Sequence, residues 1–448
     1  MKTDKYRRLL SCCPSLLDAA DKTANDKNGA LQNNVPAQVT AYVTAPVLFC
    51  YVCYILDSVK KNNINRIFFL SRDGYILKQI ADIIIERKKL KIQTSYLYVS
   101  RYSLRNALYY KCETAEDFEN AGLFTGYTLN SAKNFLKRAG LNDCQRIEVY
   151  KEIGFSDDEN KDLSDSEYSA FCEKIKNDPA LLCKIKNNSE NNYHNIMKYF
   201  ELSGLFEKGK IAVVDSGWMG TVQKTLTALV NGRTDENIIG YYFGLYRRED
   251  DNYKAFLFDV TDAYKYVPTF CNNLFECFCS APHGMTTGYR ECDEKIIPVL
   301  SDANAEMVKM AEIQTKTAVR FTEYACENEN YIPICKMRDI SAQLLKALMY
   351  KPDKQEAEIL GAFPFSDDVT EAKIQHLAGN CKGSISNILL PVRIIRKKKG
   401  KSIYPDKYIY WLYGSIVLTG CKPAWVYRLS VREWERLRLL RERRKLCR

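Results

Sequence analysis

One stretch constrains this chain more than any other: Arg66–Leu77, reading RIFFLSRDGYIL. Five strand-forming residues run straight into Ser-Arg-Asp-Gly, and an amphipathic pattern begins at once. Ile76, Leu77, Ile80, Ile83 and Ile84 fall on one face of a helix over Tyr75–Lys89. Arg87, Lys88 and Lys89 close it, where the helix dipole favours cations. A second strand follows at Ser95–Val99, ends at Ser100-Arg101, and leads to a helix from about Ser103. Strand, helix, strand in so short a span implies parallel strands joined by a right-handed crossover. The pattern returns later: strand Lys210–Val214, polar loop Asp215–Thr221, helix Val222–Val230, strand Ile238–Tyr246.

These two units predict an α/β fold, a Rossmann-like parallel sheet with a helical insertion and a helical C-terminal region. Residues 1–40 read as a polar N-terminal segment. Residues 41–111 form the first part of the α/β core, opening with a buried helix over Tyr42–Lys61 that is short and charge-broken for a membrane span. Residues 112–207, polar and rich in Asn, Lys and Glu, read as a helical insertion or cap. Residues 208–300 complete the core, 301–391 are helical, and 392–448 form a basic, aromatic tail. The 448 residues exceed what one small core needs.

Charge and cysteine usage exclude several function classes. The net charge is +11, yet residues 391–448 hold 17 Lys/Arg against 4 Asp/Glu, so the rest is close to neutral. A nucleic-acid-binding body is not expected from that distribution. The 17 cysteines form no regular framework, and the N-terminus lacks the apolar core of a signal peptide, so reduced thiols and a cytoplasmic location are expected. Cys50 and Cys53 form a lone CxxC inside an apolar run, and three histidines are too few for a His-based metal site. No Walker pattern and no GxSxG elbow occur.

Three loops leave strands at the carboxyl edge, where open parallel sheets bind ligands. They carry Ser71, Arg72, Asp73 and Gly74; Ser100 and Arg101; and Asp215, Ser216, Gly217, Gly220 and Thr221. Arg72 and Arg101 supply forked, permanent charge suited to phosphate. Gly217, Gly220 and Thr221 suit a backbone cradle at a helix start. Asp73 and Asp215 are the candidate catalytic acids or bases, and Asp215 the candidate ligand for Mg2+. Ser71, Ser100, Trp218, Glu276 and His283 are placed in the same pocket. Each loop alone also reads as an ordinary turn or N-cap; their joint composition points to an anion site.

With those residues in view, the segments APVLFCYVCYILDSVKKNNINRIFFLSRDGYIL, YLYVSRYSL, VVDSGWMGTVQKTL and NLFECFCSAPHGMTTGY resemble a group of bacterial polysaccharide-biosynthesis-cluster proteins described as hydrolases of the haloacid dehalogenase superfamily. The likeness runs from Ala45 to Tyr289, with a weaker echo over 351–368. It implies an enzyme of surface-polysaccharide synthesis, hydrolase-like or a transferase, acting on a phosphorylated sugar or nucleotide sugar. The superfamily's aspartyl nucleophile needs a second acid two residues on. Asp73 is followed there by Tyr75 and Asp215 by Gly217, so an aspartyl-phosphate phosphatase is not expected. In longer relatives that motif occupies a separate N-terminal domain, which makes this chain look like the partner domain. Asp215–Thr221 also resembles the phosphate loop of divergent phosphoribosyltransferases, without the paired acids. The non-catalytic alternative is a ligand-binding or scaffolding partner of a glycosyltransferase.

The tail holds YIYWLYGSIVLTG, 408–420, between Arg396-Lys397-Lys398-Lys399 and an arginine-dense helix Ser430–Leu446, with Trp425 and Trp434 as aromatic anchors. Cations flanking an apolar aromatic stretch suit an anionic membrane surface, so a peripheral position at the inner face is an expectation.

Overall fold

The computed structural model describes residues 3–26, 34–126, 130–153, 159–234, 237–293, 295–327, 332–366, 374–404 and 410–446. Helices α1 (Asp4–Leu10) and α2 (Pro14–Ala24) lead to α3 (Val35–Val39), a π-helical turn at Thr40–Thr44, and α4 (Ala45–Lys61). Then come β1 (Arg66–Leu70), α5 (Gly74–Arg87), β2 (Gln93–Leu97) and α6 (Arg101–Leu108). Five helices follow: α7 (Ala115–Asn120), α8 (Ala132–Arg138), α9 (Asp143–Glu152), α10 (Asp165–Lys176) and α11 (Pro179–Leu202). The chain re-enters the sheet as β3 (Ile211–Trp218), α12 (Thr221–Val230), β4 (Ile239–Leu245) and β5 (Tyr253–Phe258). Helices α13 (Ala263–Tyr266) and α14 (Asn272–Phe278) precede the hairpin β6 (Thr286–Cys292) and β7 (Lys295–Leu300). The C-terminal region comprises α15 (Ala305–Cys326), α16 (Ile334–Met349), α17 (Lys354–Gly361), the short pair β8 (Pro364–Phe365) and β9 (Gln375–His376), α18 (Leu390–Lys398), α19 (Leu412–Thr419) and α20 (Ala424–Leu446).

Strands β1 to β5 form one sheet, all parallel, in the order β2-β1-β3-β4-β5. Its central strands β1 and β4, and β3 up to Val214, are near-continuous apolar runs because both faces are covered, while edge strand β2 is more polar. Ile67, Phe69, Ala212, Val214, Tyr241 and Phe243 face a core built with α4, α5, α14, α15 and α16. Their neighbours Phe68, Leu70, Leu97, Ile211 and Val213 face α6, α11 and α12. The result is three layers, helix–sheet–helix. Strand β1 lies between β2 and β3, so the chain leaves it on one side for β2 and returns on the other for β3. Strand order reverses there, and a crevice opens beyond the carboxyl ends of those strands.

The α/β class with helical insertion and helical C-terminal region is as expected. Strand β2 sits two residues earlier than the sequence suggests, and β3 runs four residues further, through Trp218. The insertion carries its own core, with Phe118, Phe135, Phe171 and Ile185 buried together. The N-terminal segment is less polar in place than in composition. Tyr6, Leu10, Leu16 and Ala19 are buried, and the Tyr6 hydroxyl donates to Glu356 Oε1 at 2.7 Å. The helical run Val35–Lys61 is long and apolar enough to cross a membrane, longer than the sequence pattern suggested, and most of it is packed inside the protein. In the tail, the described part of the apolar stretch is also interior. Trp411, Tyr413 and Ile416 are buried, and Trp411 Nε1 donates to the Met349 carbonyl at 2.8 Å. Those side chains are committed to the core, while Leu412 and Val417–Thr419 are half-buried and Gly420 is exposed; residues 408 and 409 lie outside the described residues.

Candidate active site

The three loops converge. Ser71, Arg72, Asp73, Ser100, Arg101, Asp215, Gly217, Trp218, Thr221, Glu276 and His283 line one cavity of about 810 Å3 at the switch point. Loops from β1 and β3 meet through a hydrogen bond from Ser216 Oγ to Asp73 Oδ2. This settles what Asp73 does locally. It precedes α5 but gives that helix no side-chain cap. Its carboxylate reaches across to β3 instead, so the turn chemistry of Asp-Gly is not the reason for the residue.

Asp73, Asp215 and Glu276 form an acidic trio. Burial raises the pKa of Asp73, countered by the Ser216 hydrogen bond and by Arg72 and Arg101. Burial, then the neighbouring Asp73, push Asp215 well above the usual carboxylate range, with Glu276 adding to the rise. Glu276 rises to about 7, chiefly by burial and the charge of Asp73, while Arg101, Trp218 and Arg72 pull it back. Each of these carboxyl groups makes ionisation of the next harder, so the trio titrates as a unit, above the ordinary carboxylate range. A carboxyl group poised near pH 7 can both give and take a proton.

The elements around the trio hold it in place. Trp218, the last residue of β3, donates from Nε1 to Glu276 Oε1 on α14. The Tyr51 hydroxyl of α4 lies 2.9 Å from the Asp215 carbonyl and 2.8 Å from the Tyr241 carbonyl, bridging β3 and β4 under the site. Tyr51 was not singled out from sequence, and Ser216 was named only as part of the third loop, with no role. A tyrosine in an apolar helix carries no signal of that role. Glu276 was placed only as lining; its isolation in the apolar helix NLFECF was the available sign of a perturbed acid.

Several expected ligand contacts are spent on structure. Ser71 Oγ donates to the Val99 carbonyl at 2.7 Å and accepts from Val99 N at 3.1 Å, tying β1 to β2. Ser100 Oγ caps α6 by accepting from Ser103 N and donates to the Thr286 carbonyl at 2.6 Å. His283 holds Gly284 O and the Tyr96 hydroxyl, each at 2.8 Å, and burial lowers its pKa, so it stays neutral. The glycine cradle also needs correction. Gly217 is within β3 at φ 121°, where an added Cβ would lie 2.3 Å from the Gly244 carbonyl oxygen. Gly220, at φ 64°, presses against the Tyr253 ring and is not among the cavity-lining residues. Both serve strand and ring packing. Of the expected cradle, Gly217 and Thr221 still line the cavity; Val222, not expected, joins Thr221 at the start of α12, whose N-cap Gly220 brings no side chain to the free N–H groups.

Among the described residues no group of three His, Cys, Asp or Glu side chains is placed to hold a metal ion. The fold defines a three-layer α/β protein with a polar crevice at its switch point. Compared with family models and with curated proteins, the chain matches none.

Proposed function

We propose that this protein is an enzyme acting on a phosphorylated sugar or nucleotide sugar in surface-polysaccharide synthesis, with the switch-point cavity as its active site. The observation that carries the reading is the convergence of two arginines and three carboxyl groups of raised pKa on one cavity, beside the start of α12. Arg72 and Arg101 grip phosphate oxygens, together with the N–H groups of Thr221 and Val222. Glu276, protonated, gives its proton to the leaving oxygen as the bond to it breaks. Asp73, held by Ser216, accepts the proton of the attacking water or hydroxyl. Mg2+ fits this scheme as a visitor carried in with phosphate, because that ion is commonly held by one or two carboxylates plus substrate oxygens; Asp215 is the group to hold it. Bound there, it would neutralise phosphate charge.

Thermal melts with sugar phosphates and nucleotide sugars, with and without Mg2+, test the reading on wild type, Arg72→Met and Arg101→Met. Stabilisation that falls in both variants is expected. If no phosphorylated sugar raises the wild-type melting temperature, the reading is wrong. Binding without turnover under any cation would instead favour the glycosyltransferase-partner alternative, which uses the same cavity.

A further inference from the structure

Helix α18 is inside out. It buries one of its two arginines and exposes its isoleucines. Arg393 is fully buried, and none of its guanidinium nitrogens has a hydrogen-bond partner. The group is sandwiched between the rings of Tyr404 and Trp434, 5.2 and 5.4 Å from their centroids. Ile394 and Ile395, the next two residues, are 45% and 55% exposed. Burying a charge without a hydrogen-bonding partner is costly, and exposing large aliphatic side chains forfeits the burial that normally drives a helix onto its core. Cation–π contacts offset part of the first cost and none of the second. A face kept apolar and outward at such cost has something to meet.

The surroundings say what. Arg396, Lys397, Lys398 and Lys399 follow directly, and all but Arg396 are exposed. Lys397 Nζ lies 5.6 Å from the centroid of the Trp434 ring, so α18 packs on α20. Trp425 is 65% exposed and Leu429 37%, one turn apart on α20, with Arg432 and Arg436 continuing that face. Residues 391–448 carry 17 cations against 4 acids. A nucleic acid would use the cations and stack on aromatics but gains nothing from paired isoleucines. An uncharged bilayer would use the isoleucines and not the lysines. An anionic bilayer uses both.

We propose that α18 and the N-terminal half of α20 form a docking surface for an anionic phospholipid bilayer, with Ile394, Ile395 and Trp425 entering the headgroup–acyl boundary. Arg396 to Lys399 rest on acidic headgroups. This surface differs from the 410–420 segment, whose Trp411, Tyr413 and Ile416 are buried, and does not depend on what the cavity binds.

Flotation with phosphatidylcholine vesicles, with and without phosphatidylserine, tests it on the full chain. Wild type floats only with phosphatidylserine, and less at high salt. The double variant Ile394→Asp/Ile395→Asp loses about tenfold or more in vesicle affinity, and Lys397→Glu/Lys398→Glu/Lys399→Glu loses it too. Both still melt cooperatively, with a lowered melting temperature only to the extent of the half-exposed isoleucine packing and the Lys397 contact with Trp434. Trp425→Ala weakens binding by a smaller factor. Equal flotation on both vesicle types, no flotation of wild type, or full binding by the isoleucine variant overturns the proposal. In the last case, competition by a single-stranded RNA oligonucleotide would mark the tail as a nucleic-acid site instead.

Discussion

Replacing Glu276 with glutamine removes one ionisable group from the acidic trio while keeping its shape and its acceptor for Trp218 Nε1. In the wild type the Glu276 pKa is about 7, against an ordinary value of 4.5. A folded-state value raised above the unfolded one means that stability is full below about pH 4.5 and is lost as pH rises through about 7. At roughly 1.36 kcal/mol per pH unit, that interval amounts to about 3 kcal/mol. The carboxyl group is half-buried rather than sealed, and solvent screening brings the expectation nearer 2 kcal/mol. The glutamine variant never ionises there, so it escapes the loss. Urea unfolding followed by tryptophan fluorescence should show wild type and Glu276→Gln alike at pH 4.5, with the variant about 2 kcal/mol more stable at pH 8.5. The same variant should lose turnover while still binding the phosphorylated ligand. A stability difference that does not change with pH, or a variant less stable than wild type at pH 8.5, would refute the electrostatic account of the trio.

Three further outcomes follow from the same geometry. Tyr51→Phe removes the one O–H shared between two strand carbonyls and should cost about 1–3 kcal/mol in unfolding free energy; ligand affinity should fall with it, because the Asp215 backbone is one of the two. Ser216→Ala removes a hydrogen bond that favours ionised Asp73, so the pH midpoint of activity should move upward, read from a kcat/KM profile. Gly217→Ala forces a Cβ to within 2.3 Å of the Gly244 carbonyl oxygen at a positive φ, and should lower stability by about 3 kcal/mol or prevent folding, seen by thermal melt and soluble yield.

The sheet was legible because Ile67–Leu70 and Ile211–Val214 are unbroken apolar runs that suit a doubly covered parallel sheet. The acidic and basic residues at their ends were legible as a set for the same reason: such a sheet offers one edge to ligands. What escaped was anything decided by contact across the sequence. Gly217 looks like loop punctuation from its neighbours, yet its strand continues because Gly244 pairs opposite it. Ser71 and Ser100 have the composition of a pocket and the function of ties between strands. Tyr51 is invisible because its partner carbonyls lie 164 and 190 residues away. The tail misled for a similar reason. Its most hydrophobic stretch finds a core to join, while two isoleucines among arginines and lysines do not.

The insertion between β2 and β3 has a consequence for how the protein comes into being. Helices α6 to α11 lie within the 143 residues between Asp73 and Ser216, and within the 186 between Ser100 and Thr286. During synthesis the insertion, with a hydrophobic cluster of its own, can collapse first. Strand β1 must meanwhile wait beside β2 with the edge meant for β3 unfilled. The nascent chain thus exposes an aggregation-prone strand for as long as the ribosome takes to deliver β3. It gains its full complement of acids only when α14 emerges. Chaperone demand and translation speed across the insertion, rather than the final contacts, should set the yield of competent protein.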